Sequence, residues 1–274
     1  TKIEGNRVAQ LAFGTSDARK ITLAFYIRAS VTGTFSGSIT NEAENRSFPF
    51  TYTINSADTW ERKVVNIDAD TSGTWDTDNT TGLEIYFSLG MGSTYSGTAG
   101  SWAGAQYFAA TGASNLIATN GATWHLTGLQ LEVGEFDTNT IPSFPFESFE
   151  NNLRKCQRYY YFLGGVNNTY KRVSTSITNP NNRNQTAGLH FLPVPMRDTP
   201  SVTIPSAGSF NGVVIGSANT YSSMSIFNQS EATSDADFSI LYVSGTLSGN
   251  VGNHCVQVEM TYGSTNKMEV SAEL

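Results

Sequence analysis

The sequence predicts an all-β protein in which two β-rich domains are joined by a short amphipathic helix. Composition and patterning both predict this class. Only 14% of the 274 residues are charged, whereas the turn-forming residues Gly, Ser, Thr and Asn are abundant. Segments that alternate apolar and polar side chains recur along residues 1–135 and 165–274, as expected of half-buried strands. Between these regions the apolar period lengthens to that of a helix.

Several segments of the first domain show the strand pattern. They span residues 20–30, 48–54, 59–67, 82–92 and 122–134. In the last segment the apolar positions change phase near Gly128, and a glycine at such a point predicts a β-bulge. Residues 93–115 are rich in Gly, Ala and Ser. We expect them to form a long loop on the domain surface, where binding residues often lie.

A helical stripe follows the proline-containing segment 136–148. Apolar side chains recur at spacings of three and four from just after Pro145, which predicts an amphipathic helix. The stripe consists of Phe146, Phe149, Leu153, Cys156 and Tyr160. Fewer than three heptads cannot hold a free-standing coiled coil, so we expect the helix to pack on its own domain or on copies of itself. The stripe is therefore the candidate oligomer interface.

The chain accordingly divides into a first domain, 1–137, a linker with the short helix, 138–163, and a second domain, 164–274. The net charge of −7 lies mostly in residues 1–142, which carry 8 Lys or Arg against 14 Asp or Glu, a net of −6. This balance argues against a nucleic-acid partner, because phosphate contacts need a basic surface. No apolar run reaches the roughly 18 residues of a membrane span, so no membrane insertion is expected.

The two cysteines do not show a metal-binding spacing. Cys156 and Cys255 belong to no CxxC or Cys/His pattern of the kind that binds zinc. A long-range disulfide is one interpretation, and two free buried thiols are the favoured one. Arg154 and Lys155 could activate Cys156 as a nucleophile, but its place in the apolar stripe favours a core thiol.

Three longer stretches and the last four residues carry a more specific signal. They are ATWHLTGLQLEVGEF (122–136), FESFENNLRKCQRYYYF (146–162), LPVPMRDTPSVTI (192–204) and SAEL (271–274). In this order they resemble the tail-fibre and receptor-binding proteins of tailed bacteriophages. The resemblance implies a carbohydrate-binding-module-like jelly-roll β-sandwich for the first domain and a second β-sandwich, a tip domain, after the helix.

The resemblance also implies a role for the protein. It would be a homotrimeric virion protein, in a tail fibre or another exterior appendage, that attaches the particle to saccharide on the host cell surface. Its partners would be copies of itself, other virion tail proteins and the host glycan, and no cofactor is required. The alternatives are a ligand-free structural or capsid decoration protein of the virion, and a polysaccharide-degrading enzyme. We favour the non-enzymatic attachment protein.

A saccharide site needs exposed aromatic rings beside hydrogen-bonding side chains. The candidate glycan-binding residues are Trp75, Asp76, Asp78, Asn79, Tyr95, Trp102 and Tyr107. The competing interpretation is that these aromatic rings hold the long loop against the sheet. Trp60 and Trp124 lie within strand patterns, so we predict that both are core residues.

Carboxylates supply the remaining candidates. Asp76 and Asp78 form a pair that a glycosidase could use, although turns use such aspartates equally often, and no catalytic residue is assigned. Glu4 and Glu132 match the region where carbohydrate-binding jelly rolls hold a structural calcium ion with oxygen ligands. The chain opens on Thr1 within a strand pattern, and we expect an upstream segment to supply the other ligands.

Overall fold

Strands dominate a computed structural model of the chain and the helices are short, which confirms the all-β class. The structure describes residues 1–164, 171–179, 181–214, 217–227, 240–249, 255–260 and 267–272. The chain divides into two compact units, 1–146 and 147–273. Each is described by itself.

The first unit consists of short strands with one helical turn. In chain order they are β1 (Lys2–Glu4), α1 (Gly5–Val8), β2 (Ile21–Ala29), β3 (Gly33–Thr40), β4 (Ser47–Ile54), β5 (Glu61–Ile67), β6 (Thr81–Ser88), β7 (Ser96–Gly97), β8 (Ala109–Ala110) and β9 (Trp124–Val133). Two antiparallel sheets have the strand orders β1-β6-β3-β4 and β5-β2-β9. The pair β7-β8 is parallel.

Both larger sheets of this unit face one hydrophobic core. Phe25 of β2 is fully buried, and its ring centroid lies 5.2 Å from Tyr52 of β4 and 5.0 Å from Phe87 of β6. These edge-to-face contacts join the sheets, because β2 belongs to one and β4 and β6 to the other. Each such pair contributes about 0.5–1.5 kcal/mol beyond the area that it buries.

The predicted β-bulge in β9 is confirmed. The register between β2 and β9 shifts between Ala24 and Tyr26, and Gly128 on the facing strand has a φ of +60°. Side chains in this left-handed region cost roughly 1–2 kcal/mol. A Cβ on Gly128 would also lie 3.1 Å from the ring of Tyr26. The bulge therefore brings the backbone of β9 close to this ring on the outer face of the sheet.

The predicted surface loop covers the outer face of the sheet β1-β6-β3-β4. Ser47 of β4 exchanges backbone hydrogen bonds with Ala103, and its hydroxyl donates to the carbonyl of Ala105 at 2.6 Å. The loop lies over the outward positions of β3, so that Ser38 and Thr40 are fully buried.

The linker covers half of the outer face of the sheet β5-β2-β9. Ile141 is buried, and the amide of Gln130 on β9 donates to the carbonyl of Pro142 at 3.1 Å. On this half Thr22 and Ala24 of β2 are buried, although they share the outward side of the strand with Tyr26. Tyr26 itself is exposed. One half of the face is therefore closed and the other half is open.

The second unit begins with the short helix and continues in strands. Its described elements are α2 (Phe149–Gln157), β10 (Tyr160–Gly164), β11 (Lys171–Asn179), β12 (Asn182–Phe191), β13 (Ser201–Thr203), β14 (Phe210–Val214), β15 (Ser217–Phe227), β16 (Ile240–Leu247), β17 (Cys255–Met260) and β18 (Lys267–Ser271). A three-stranded sheet has the order β10-β18-β13, and β11-β12-β16-β15-β14-β17 close into a barrel.

A closed barrel thus stands where the sequence predicts a second sandwich. Strand β17 pairs with both β11 and β14, so the six strands leave no free edge. Alternation with a period of two residues occurs in sandwiches and in barrels alike. The sequence pattern therefore could not distinguish the two architectures.

The helix is shorter than the predicted stripe. Ser148 caps it, because its hydroxyl accepts from the backbone N–H of Asn151 at 3.3 Å, and a capping serine starts a helix at the next residue. Phe146 therefore precedes the helix, and Tyr160 follows it as the first residue of β10. The expectation of buried thiols is also wrong, since Cys156 and Cys255 are free but exposed.

We expect Phe25→Ala to destabilise the first unit by about 3–5 kcal/mol, because it removes the ring that joins the two sheets and leaves a cavity. All four tryptophans lie in this unit, so their fluorescence during urea unfolding measures its stability. Ile117→Ala is the matched control, because Ile117 is 69% exposed and should change stability by no more than about 0.5 kcal/mol. Equal urea midpoints for the two variants would contradict this description of the core.

Candidate functional site

The predicted site residues Trp75 and Trp102 come together as part of an aromatic cluster on the core. Their ring centroids are 5.4 Å apart, and both rings pack on Phe13 at 4.9 and 5.7 Å. The indole N–H of Trp102 donates to the carbonyl of Asp68 at 2.7 Å, and that of Trp75 to the carbonyl of Ser72 at 3.2 Å. Both indoles therefore use their polar atoms within the protein, as the loop-holding interpretation expects.

The guanidinium of Arg46 closes this cluster. It lies 6.0 Å from the centre of the Trp102 ring and forms two hydrogen bonds with the buried carboxylate of Asp70, at 2.6 and 2.8 Å. The hydrogen bonds to Asp70 raise the pKa of Arg46. This bidentate pair holds the cluster together and engages the guanidinium of Arg46 within the protein.

The acidic candidates beside Trp75 form a turn. Both the hydroxyl and the backbone N–H of Thr80 donate to Asp78, at 2.5 and 2.8 Å, and these bonds lower the pKa of Asp78. A carboxyl with a lowered pKa remains ionised and suits a turn better than a general acid. Asn79 accepts from the amide of Asn6 at 2.9 Å, and the backbone carbonyl of Asp76 lies against α1.

Tyr95 and Tyr107 lie in the loop but in separate contacts. The ring of Tyr95 packs 5.8 Å from Phe108 and remains exposed. The ring of Tyr107 fills the space beside Gly97, where a Cβ would be only 2.3 Å away. Its backbone N–H donates to the hydroxyl of Ser47 at 3.3 Å. Tyr107 therefore holds the loop, and Tyr95 is the more exposed of the two loop tyrosines.

The structure does not bring the two predicted calcium ligands together. Glu4 is buried in β1 and lies 3.6 Å from Arg7. Glu132 lies in β9, within the other sheet, and accepts from the amide of Gln130 at 2.9 Å. Calcium sites need six to eight oxygen ligands at one place. Within the described residues no group of three or more His, Cys, Asp or Glu side chains is arranged to hold a metal.

A different set of side chains forms an open aromatic surface on the sheet β5-β2-β9. This surface, termed here the open face, consists of Tyr26, Arg28, Trp60, Arg62, His125 and Thr127. Tyr26 faces Arg62 on β5 and Thr127 on β9, and Arg28 faces His125. Trp60 precedes β5 and is 46% exposed, and Tyr26 is 39% exposed. Two large rings thus face solvent from neighbouring strands.

Trp60 reaches across the central strand. Its ring centroid lies 6.4 Å from that of His125, although β2 runs between β5 and β9. Arg28 occupies the β2 position between them, and its charged end lies 3.5 Å from Asp58. Next to this pair a cavity of about 430 Å³ is lined by Tyr26, Arg62, Thr127, Gly128, Ser143, Phe144 and Phe146. Its volume falls within the range of small-molecule sites.

Glu61 fixes the turn that carries Trp60. Its carboxylate accepts from the backbone N–H groups of Asn55 and Ser56, both at 2.8 Å, and from the ammonium of Lys63 at 2.6 Å. Lys63 first, and then these backbone donors, lower the pKa of Glu61 to about 2. The backbone N–H of Asp58 donates to the carbonyl of Ala29 at 2.8 Å. The turn is thus held to its neighbouring strands from both sides.

The prediction that Trp60 is a core residue is wrong. It shares its side of the strand pattern with Arg62 and Asn66, and two polar residues on one side indicate the outward face. Tyr26 likewise shares its side with Thr22 and Arg28. The signal was therefore present in the alternation, but large aromatic residues in strands are usually buried, and this tendency outweighed it.

The predicted oligomer stripe remains uncovered in the single chain. Phe146 is 92% exposed and Phe149 is 79% exposed, and Leu153, Cys156 and Tyr160 are also exposed. No residue of α2 is buried. Phe146 packs on Phe144 at 5.3 Å and lines the cavity of the open face, so the structure assigns it to the first unit. The other four residues belong to the second unit.

No protein-family model matches the chain, and no curated protein matches it. Across the described ranges, no helix has both the length and the apolar character that crossing a membrane requires.

We expect Glu61→Gln to lower the stability of the first unit at pH 7. Because the pKa of Glu61 falls from 4.5 in the unfolded chain to about 2 in the folded one, the ionised carboxylate stabilises the fold above pH 4.5. This contribution is lost as the pH falls towards 2. The difference in urea midpoint between wild type and variant should therefore shrink over this interval. A constant difference between wild type and Glu61→Gln across this interval would contradict the assignment.

Proposed function

We propose that this protein is a non-enzymatic attachment protein of a bacteriophage virion, which binds saccharide on the host cell surface through the open face. The exposed pair of rings, Trp60 and Tyr26, is the observation that carries the proposal. Proteins bind sugars by stacking aromatic rings on their C–H surfaces and by hydrogen bonds from flanking polar side chains. Arg62, His125 and Thr127 supply such groups beside the rings.

The location in the virion rests on the resemblance of the sequence to tail-fibre and receptor-binding proteins. The two antiparallel sheets of the first unit agree with the jelly-roll β-sandwich that this resemblance implies, and we propose that arrangement for residues 1–137. The barrel and the small sheet of the second unit would then form the tip domain. Other tail proteins of the virion would be its fixed partners.

We also propose that three copies of the chain associate through α2. A nine-residue helix is not stable in water by itself, and this one has no buried residue within its unit. Exposed apolar side chains such as Phe149 and Leu153 are typical of surfaces that another chain covers. Other copies of the same chain are always present with the helix and carry the same apolar stripe. The resemblance to tail fibres implies that three of them associate.

The alternatives each lack a comparable observation. A ligand-free structural or decoration protein would have no need for two large exposed rings beside cations. A polysaccharide-degrading enzyme needs two carboxylates placed for acid and nucleophile or base, whereas Asp78 serves a turn with a lowered pKa. Attachment through saccharide binding accounts for the open face better than either.

We expect Trp60→Ala to weaken saccharide binding at least about tenfold, because exposed aromatic anchors contribute most of the affinity at such sites. Binding is measured first on an array of bacterial surface saccharides and then by calorimetry on the best ligand. Tyr95→Ala is the matched control, since Tyr95 is 43% exposed and Trp60 46%. Loss of saccharide binding in Tyr95→Ala, with unchanged affinity in Trp60→Ala, would contradict this assignment and place the site in the loop 93–115.

We expect Leu153→Asp to convert a trimer into monomers, because a charge in the apolar contact would have to be buried without a partner. Light scattering at micromolar concentration measures the mass. Asn151→Asp adds the same charge to an exposed position of the same helix, away from the stripe, and should leave the trimer intact. A monomeric wild-type protein would contradict the proposed assembly.

A further inference from the structure

We infer that the open face binds an anionic saccharide, one whose sugars carry carboxylate or phosphate groups. This inference rests on the proposed saccharide binding and adds the chemical class of the ligand. Two observations support it: the positive charges of the open face, and the ion pairs that the nearby carboxylates form.

The charge of the open face is opposite to that of its domain. Residues 1–142 carry 8 basic and 14 acidic side chains, a net charge of −6. The open face nevertheless displays Arg28 and Arg62 beside Trp60 and Tyr26. A cationic surface on an acidic domain attracts anions. Such a local reversal indicates an anionic partner.

The carboxylates that border the open face are already engaged. Glu61 accepts from the turn backbone and from Lys63. Asp58 lies 3.5 Å from the guanidinium of Arg28. Neither carboxylate contacts Arg62 within the described ranges. The positive charge of the face is therefore only partly neutralised by its surroundings.

Arg62 is the cation best placed to contact a ligand. Its guanidinium lies 5.8 Å from the centre of the Tyr26 ring and lines the cavity of about 430 Å³. No ion pair involves it in the described part of the chain. The guanidinium is planar, and its N–H groups match a carboxylate or phosphate in two parallel hydrogen bonds. If a sugar stacks on Tyr26, an acidic group on that sugar would thus contact the guanidinium of Arg62.

Arg28 adds a second positive charge within reach of Trp60. Its Nε is buried and forms no hydrogen bond within the described ranges, and its ion pair with Asp58, at 3.5 Å, is long for a charge-assisted bond. It faces His125 directly across the strands. Arg62 therefore lies in the cross-strand row of Tyr26, and Arg28 lies in the next outward row, beside Trp60, so that a chain of sugars along the two rings would meet both charges.

The test compares charged and neutral saccharides on the wild-type protein and on Arg62→Gln. The first probe is an array of acidic and neutral bacterial saccharides, and the second is calorimetry with oligogalacturonate, its neutral methyl ester and a phosphorylated oligomannose. We expect the array ligands to be anionic and the preferred acid to bind at least about tenfold more tightly than its neutral counterpart. Raising the salt concentration should reduce this preference. The carboxylate and phosphate arms distinguish the two sources of charge.

Arg62→Gln should reduce the ratio of acid to neutral affinity from at least about tenfold to about twofold or less, because the guanidinium that pairs with the acid is lost while the charge of Arg28 remains. Circular dichroism and the melting temperature verify that this variant is folded, and Arg62→Lys should retain part of the preference. Equal binding of acidic and neutral ligands, or binding of neutral ones alone, would overturn the inference and leave the proposed function standing. No binding of any saccharide would overturn both.

Discussion

The packing of the linker against the sheet β5-β2-β9 is the interaction on which the candidate site depends. As the chain leaves β9, the hydroxyl of Thr22 lies 2.6 Å from Asn66 Oδ1 and 2.8 Å from the carbonyl of Gly134, and it accepts from the N–H of Phe136 at 3.1 Å. These bonds turn the chain onto the outer face, where Ile141 becomes buried. The residues after Ile141 line one side of the cavity beside Tyr26 but leave that ring exposed. Closure of one half and exposure of the other therefore have the same cause.

Exposed apolar surfaces occur in both units. Hydration of each is unfavourable in free energy, and a bound partner removes that hydration. On the open face, Trp60 and Tyr26 stand among cations and hydroxyl groups, a mixture that suits a polar ligand with apolar faces. On α2, Phe149 and Leu153 stand in a stripe whose flanks carry Arg154 and Lys155, a pattern that suits another apolar helix. The difference in surroundings is the reason to assign saccharide to one surface and a second copy to the other.

The candidate site could be predicted only in part, and particular residues show why. The alternation around Trp60 and Tyr26 indicates their outward side, but which part of the outer face stays open depends on how the linker after β9 packs on the sheet. Trp75 and Trp102 lie in loop sequence, so exposure was a reasonable expectation, yet both pack on Phe13. Loop contacts of this kind join residues distant in the chain, and no local pattern records them.

The amino-acid sequence by itself determined the all-β class, the position of most strands, the bulge at Gly128 and the presence of an amphipathic helix after the linker. These features follow from interactions between near neighbours, which residue spacing records directly. Only the tertiary structure decided that β17 closes a barrel and that Trp60 rather than Trp75 faces solvent. Those outcomes depend on contacts between distant segments, where burial of one side chain is decided by whatever packs over it.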